Sequence, residues 1–277
     1  MENKKLQSLS YKPLFIVFVI LSLSCPRAIA QETEDEREFD YYEESDKGPD
    51  QWGEIRPEWR MCGKGTMQSP IDMLNERVEV VSYFRELKRK YKPSNATIVN
   101  RGHDVMLKWE GGAGYIEINE TQYELKQCHW HSPSEHTING RRFDLEVHLV
   151  HESQSNRSAV IGILYEFGRP DSFLSEVSEH LEAIAEDGEE KRVVGMVDPN
   201  HIRVGSLKYY RYIGSLTVPP CTENVVWTIV SKARTVSREQ VNLLRDAVHD
   251  DYEVNARPVQ PLNNREVKFY QPQLKFM

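Results

Sequence analysis

Apolar and polar residues alternate with a period of two over residues 96–100, 104–109, 115–118, 123–130, 145–150 and 225–230. Only an extended strand turns that period into one apolar and one polar face, because successive side chains point to opposite sides of a sheet. So much alternation in 277 residues predicts a large, mostly antiparallel central β-sheet. Helical spacing is confined to two places. Phe173, Val177, Leu181 and Ile184 share a helix face behind Asp171 and Ser172, either of which can cap it. Ser237 and Gln240 make a capping-box pattern ahead of Val241, Leu244 and Val248. The expected fold class is mainly β, with short peripheral helices. Globular patterning begins at residue 47, takes Trp52 and Trp59 as core anchors, and reaches residue 277 without a Gly/Ser-rich or Pro-rich linker, so 47–277 is read as one domain.

Residues 1–30 read as a secretory signal peptide. Lys4 and Lys5 precede an apolar run over 14–23, and Ala28-Ile29-Ala30 forms a small-x-small cleavage signature. The run falls short of the ~20 residues a membrane helix needs, so no transmembrane anchor is expected after cleavage. Residues 31–46 crowd acids against Arg37 alone and carry little apolar content, which predicts a flexible acidic N-terminus. If Cys25 leaves with the leader, the mature chain keeps Cys62, Cys128 and Cys221, an odd number in a pathway that permits disulfides. One thiol is therefore expected to stay free. Sequons at Asn95, Asn119 and Asn156 are glycosylation candidates. A formal net charge of −8 with no basic run leaves little to neutralise phosphates and argues against nucleic acid as a partner. Nothing in the pattern addresses oligomeric state.

The chemistry begins at Gln127-Cys128-His129-Trp130-His131. Strand parity puts Gln127, His129 and His131 on one face and turns Cys128 and Trp130 to the other. On a second strand, Glu146, His148 and Val150 share a face, so His148 can join His129 and His131 as a third imidazole. Three protein ligands with a fourth position open to water is the arrangement of catalytic zinc, whereas structural zinc is usually closed by four ligands rich in cysteine. A lone His-x-His more often marks histidines without metal, because the motif is short. Here Gln127 and Glu146 each stand two residues before a ligand on its own face, placed to accept the other imidazole N–H and fix the tautomer. One zinc ion per chain is the expected cofactor.

Several ordered stretches match one family together: Gln68-Ser69-Pro70-Ile71-Asp72, Asn100-Arg101-Gly102-His103, Gln127 to His131, Ser134-Glu135-His136-Thr137, Glu146 to His151, and Gly214-Ser215-Leu216-Thr217-Val218-Pro219-Pro220. Over about Tyr41 to Arg265 the chain resembles the α-carbonic anhydrases, in the wording of their plant branch. The resemblance implies that fold and a reversible hydration of carbon dioxide to bicarbonate and a proton by zinc-bound hydroxide. It makes His129, His131 and His148 the zinc ligands and His103 the proton shuttle. Thr217 would donate to Glu135 and accept from the hydroxide, which orients it. Val150, Val160, Leu216 and Trp227 would form the apolar wall that receives the substrate. Val218, at the substrate site, replaces a second threonine common in animal members.

A shuttle is argued by rate. An acid of pKa ~7 losing its proton to bare water is limited to roughly 10²–10³ per second by the encounter ceiling. Carbonic anhydrase itself is the standard case that turns over at ~10⁶ per second, and a histidine near neutrality closes the gap.

By the same resemblance Cys62 and Cys221 pair as a disulfide that tethers the loop bearing Thr217, and Tyr41 or Tyr42 supports the threonine network. His136 and His151 take structural roles, and His180, His201 and His249 none. The pathway leads either to the extracellular or cell-wall space or to the chloroplast. Two rivals remain. A binding or storage protein on the same fold usually reveals itself by damaged site positions, and these are intact. A different zinc hydrolase would need a His-Glu-x-x-His helix or a Gly-x-Ser-x-Gly turn, and neither is present.

Overall fold

A computed structural model describes residues 38–82, 86–188, 190–248 and 252–272. The expected signal peptide with Cys25, the acidic stretch 31–37 and His249 lie outside the described residues. The chain opens with two short helices, Trp52–Ile55 (α1) and Met61–Lys64 (α2). Strands Asp72–Met73 (β1), Val78–Val81 (β2), Lys88–Tyr91 (β3), Ser94–Asn100 (β4), Val105–Trp109 (β5) and Gly114–Ile118 (β6) follow. Next come Thr121–His131 (β7), Thr137–Ile138 (β8), Arg141–Arg142 (β9), Leu145–Glu152 (β10) and Ser158–Phe167 (β11). Helix Ser172–Asp187 (α3) leads to Lys191–Val197 (β12), Tyr209–Ser215 (β13), Glu223–Val230 (β14) and Arg234–Val236 (β15). Helix Arg238–Asp246 (α4) and strand Val267–Tyr270 (β16) complete it.

One mixed 13-stranded sheet runs β12-β4-β5-β7-β10-β11-β14-β13-β16-β2, with β6 beside β7, β3 beside β6, and β15 beside β11. Its pairings are antiparallel except β11–β14, β11–β15 and β16–β2, so the mainly β, mostly antiparallel expectation holds. At the middle of the sheet, β7 pairs β10 with His129 opposite His148 and His131 opposite Glu146. That register puts the two metal-side faces together, and a slip of one residue would have separated them.

The other face packs inward. Cys128, Trp130, Val147 and Leu149 are buried in one apolar cluster with the inner face of α3, where Phe173 stacks on Trp130 at 6.4 Å. Local chemistry explains why α3 forms there. Asp171 accepts from the N–H groups of Phe173 and Leu174, and the helix ends at Gly188 in the left-handed conformation at φ 65°. Each of Phe173, Val177, Leu181 and Ile184 is fully or almost fully buried, worth about 1.5–3 kcal/mol apiece. At α4 both halves of the Ser237–Gln240 capping box are made.

The expectation of an unpacked stretch through residue 46 is corrected at Phe39 and Tyr41. Phe39 and Tyr41 are buried and meet Trp52 edge-on, at 5.3 and 5.6 Å between ring centroids. Two aromatics outweigh the surrounding acids once they find a ready aromatic cavity. Tyr41 is thereby distinguished from Tyr42, which is 56% exposed.

Cys62 and Cys221 form a disulfide across 159 residues, and Cys128 is a buried free thiol. The bond fits an oxidising compartment. Burial pushes the Cys128 thiol well up, so it resists reagents while the fold stands. Under denaturing alkylation the mature chain should therefore take up one label without reductant and three with it, read by intact mass. Loss of the bond in a Cys62→Ser, Cys221→Ser variant should cost about 3–5 kcal/mol by denaturant titration. Asn95, Asn119 and Asn156 are all exposed. Among the described residues no helix is long and apolar enough to cross a membrane.

Candidate metal centre

His129 and His131 project from the end of β7, and His148 from β10. Their rings gather at centroid separations of 5.0, 5.2 and 4.6 Å. One nitrogen from each lies within 4.8 Å of the others, and all three side chains are buried. The outward nitrogens are occupied. His129 Nδ1 donates to Gln127 Oε1 at 2.9 Å, His148 Nε2 to Glu146 Oε1 at 2.8 Å, and His131 Nδ1 to the Asn255 carbonyl at 2.7 Å. A carboxylate or a carbonyl can only accept, so in the neutral rings these bonds fix the tautomers and turn the lone pairs of His129 Nε2, His131 Nε2 and His148 Nδ1 inward. His131 Nε2 is buried with no protein hydrogen-bond partner. A buried acceptor left in that state costs about 1–3 kcal/mol, and a zinc ion ligated there removes the cost. The donor set therefore fits zinc.

Glu146 serves more than one ligand. Its Oε1 also accepts from His136 Nδ1 at 2.7 Å, and its Oε2 from the backbone N–H groups of Glu135 and His136. Burial alone would raise this carboxyl, but the flanking imidazoles His136 and His148 outweigh it and hold it well below the usual carboxylate range. His136 Nε2 continues to the Tyr212 hydroxyl, which meets Ser69 Oγ. The hub fits because residue 162, opposite His148 on β11, is glycine. A Cβ there would lie 2.8 Å from Glu146 Oε1 and 2.6 Å from Ile229 Cδ1.

The apolar wall also comes together. Val160 and Trp227 are direct partners across β11 and β14, Val150 faces Val160, and all three join Leu216 in a second apolar cluster. Trp227 lies 4.8 Å from the His148 ring. Val225, two residues before Trp227 on the same face, belongs there too. Strand parity was the signal that could have found it. Val218 does not join them; it packs in the cluster of Cys128 and Trp130.

Two expectations change. Among the described residues no hydrogen bond links Thr217 to Glu135. Glu135 Oε1 accepts from the Arg257 N–H, while Oε2 turns toward His131 Nε2 at 3.6 Å. His103, expected to pass protons to buffer, has no exposed surface. The ring of Phe39 packs against it at 5.1 Å, and its Nε2 lies 3.6 Å from Asp104 Oδ2. The cause is Phe39, buried within a stretch read as flexible from its acids.

Asn255, Arg257 and Tyr212 were missed. They act through backbone atoms or from a hundred residues away, and no spacing rule reaches them. Asn255 holds His131, takes the Ser132 N–H on its side-chain oxygen and donates to the His103 carbonyl. Arg257 is buried over Trp52 and donates to Gln68, Ser69 and Cys62.

Beside the shuttle position, Arg101 and Asp104 form a buried pair, with Nε to Oδ1 at 2.7 Å. Burial by itself would raise the Asp104 carboxyl, but Arg101 holds it well below the usual carboxylate range. A carboxyl depressed in the folded state stabilises at pH above its unfolded value, about 3.9, and that contribution is lost as pH falls below it. The part of the stability that Arg101→Gln removes should accordingly stay level from neutrality to about pH 5 and decline below about pH 4, read from melting curves of the two proteins. Arg101→Gln should lose about 3–5 kcal/mol at neutral pH, because it strands a buried charge, and its acid limb should be shallower. Equal stability at pH 7 would show that the pair is neutral in effect.

Residues 47–271 match the family model described as eukaryotic-type carbonic anhydrase. Alpha carbonic anhydrase 7 of Arabidopsis thaliana is 60% identical over 259 residues, covering 94% of this chain and 94% of that protein. Among solved structures, dioscorin complexed with ascorbate superposes with a TM-score of 0.85 at 44% identity, covering 86% of this chain and all of the other. The α-carbonic anhydrase of Thermovibrio ammonificans, solved with the inhibitor sulfanilamide, gives 0.75 at 35% identity over 83% of this chain and 98% of the other.

Proposed function

The chain belongs to the carbonic anhydrase family of eukaryotic type, in its plant branch, and from that premise we propose that it is a zinc enzyme that reversibly hydrates carbon dioxide to bicarbonate and a proton. The observation that supports this most is the three-imidazole pocket whose outward nitrogens are all taken by acceptors, so that each ligand presents a lone pair inward. Zinc bound there would supply Lewis acidity that brings the pKa of a ligated water to about 7, a value taken from carbonic anhydrase itself rather than from this structure. Gln127, Glu146 and the Asn255 carbonyl keep the ligands in the metal-binding tautomer. Thr217 and Glu135 orient the reacting water in this reading: Glu135 Oε2 has no protein hydrogen-bond partner and can accept from the Thr217 hydroxyl once that rotor turns to it, and a hydroxyl that donates to a carboxylate can only accept from its other neighbour. Val150, Val160, Val225, Leu216 and Trp227 hold the apolar, linear substrate and exclude competing water.

His103 carries the proton outward in this reading, and its enclosure requires its ring to turn away from Phe39 in each cycle. The signal peptide, the three exposed sequons and the disulfide fit a chain that enters the secretory pathway and ends in the cell-wall space or the chloroplast.

Stopped-flow hydration with zinc quantified in the same sample tests the whole. Near one zinc per chain is expected, with activity lost to a chelator and restored by zinc. His103→Ala should lower turnover by about a hundredfold, the low end of acid–base contributions, and imidazole should restore part of it. Undiminished turnover at low buffer would remove His103 from the role. A second reading, a ligand-binding or storage protein that keeps the fold without catalysis, draws on the similarity to the dioscorin solved with ascorbate. Stoichiometric zinc with no hydration would select it.

A further inference from the structure

We infer that the face of the sheet turned away from the metal carries a second site, which binds an organic anion with an apolar body. Along β13 the Tyr212 hydroxyl points to His136, so its neighbours Arg211 and Ile213 point to the reverse face. There a cavity of about 600 Å³ is lined by Arg157, Arg211, Arg265 and Lys268, with Glu266 as the acid among its lining residues. Four cations against one carboxylate converge on a chain whose formal net charge is −8. The linear sequence hides this, because the four come from three separate segments.

The pairing sharpens the point. Arg211 and Lys268 stand directly opposite each other where β13 meets β16, a placement of like charges that disfavours the sheet. Arg211 lies over the ring of Tyr209 at 4.9 Å, and the bonds that hold two of the other cations go to uncharged oxygens. Arg265 donates to the backbone carbonyls of Ile213, Leu262 and Pro261, and Arg157 to the hydroxyls of Ser155 and Thr121. Lys268 has Glu266 at 3.3 Å. An anion between Arg211 and Lys268 would turn their repulsion into a clamp, with guanidinium groups suited to carboxylate, sulfonate or phosphate oxygens. Tyr123, Val226 and Ile213 supply the apolar part of the lining, and the volume lies in the range of small-molecule sites. Charge and surface together select an amphiphilic anion over a bare inorganic one.

The probe is 8-anilinonaphthalene-1-sulfonate, an aromatic sulfonate whose fluorescence rises on binding, titrated into the folded mature protein. Saturable one-to-one binding is expected, weakened by added salt, poorly displaced by inorganic phosphate and unchanged after zinc is stripped. Arg211→Gln with Lys268→Gln should weaken it about tenfold or more while leaving zinc content intact, as expected when charge-assisted bonds are removed. Arg157 sits on an exposed turn, so Arg157→Gln provides the same test with little risk to folding, at a loss of about threefold. Absence of one-to-one binding, equal affinity in both variants, or loss of binding with zinc would each overturn the site.

Discussion

Replacing His131 by alanine should reduce bound zinc from near one per chain to near none and lower hydration at least about a thousandfold, since without metal the acidic water is gone. His131 is the sharpest choice of the three ligands. Its Nε2 is buried without a protein hydrogen-bond partner, and its Nδ1 rests on the Asn255 carbonyl rather than on a side chain that could shift to replace it. The variant should still fold, because it removes an imidazole and leaves one carbonyl that a water can satisfy. Zinc by atomic absorption, hydration rate and circular dichroism on one preparation decide the matter. Full zinc retention with native dichroism would place the metal elsewhere.

The second large effect belongs to Glu146, which binds no metal in this reading. Four hydrogen bonds converge on its carboxylate, two from imidazoles and two from backbone N–H groups. Glu146→Ala leaves all four donors buried and should cost about 3–5 kcal/mol along with roughly 10–100-fold in zinc affinity. Glu146→Gln separates the two losses. If its oxygen keeps the backbone donors, its NH2 must face His136 and His148, which then have to accept. For His148 that demands the proton on Nδ1, the nitrogen needed for metal. Zinc affinity should therefore fall in the glutamine variant almost as far as in the alanine variant, with a smaller loss of stability. Chelator competition and apo-protein melting curves read the two separately. Wild-type zinc affinity in Glu146→Gln would mean that the tautomer argument is wrong.

What could be read in advance divides by distance along the chain. The caps at Asp171 and Ser237 concern residues two or three apart, and the structure makes both. Parity placed His129 and His131 on one face and Cys128 on the other, because the strand period is local. The partnership of β7 with β10 is not local; it rested on the motifs, and the register that sets His129 opposite His148 appears only in the folded sheet. The misreadings share a cause. Phe39 and Tyr41 sit among acids whose composition argues against packing, yet Trp52 and Tyr252 make a pocket for them. His103 was given the right neighbours in sequence and the wrong exposure, because what covers it lies 64 residues earlier. The basic cavity behind Tyr212 was invisible because its four cations come from three distant stretches of the chain.

Asn255 stands 124 residues beyond His131, and this sets the order of events during synthesis. A ribosome that has released both histidine strands has not yet released the carbonyl that orients His131 or the arginine amide that orients Glu135. Nascent chains ending before Asn255 should take up zinc weakly or with the wrong imidazole nitrogens, so that metal loading waits for its release. Such late closure suits a protein dominated by pairings distant in sequence, which fold slowly. On the proposed function, zinc would then report a folded sheet rather than nucleate it.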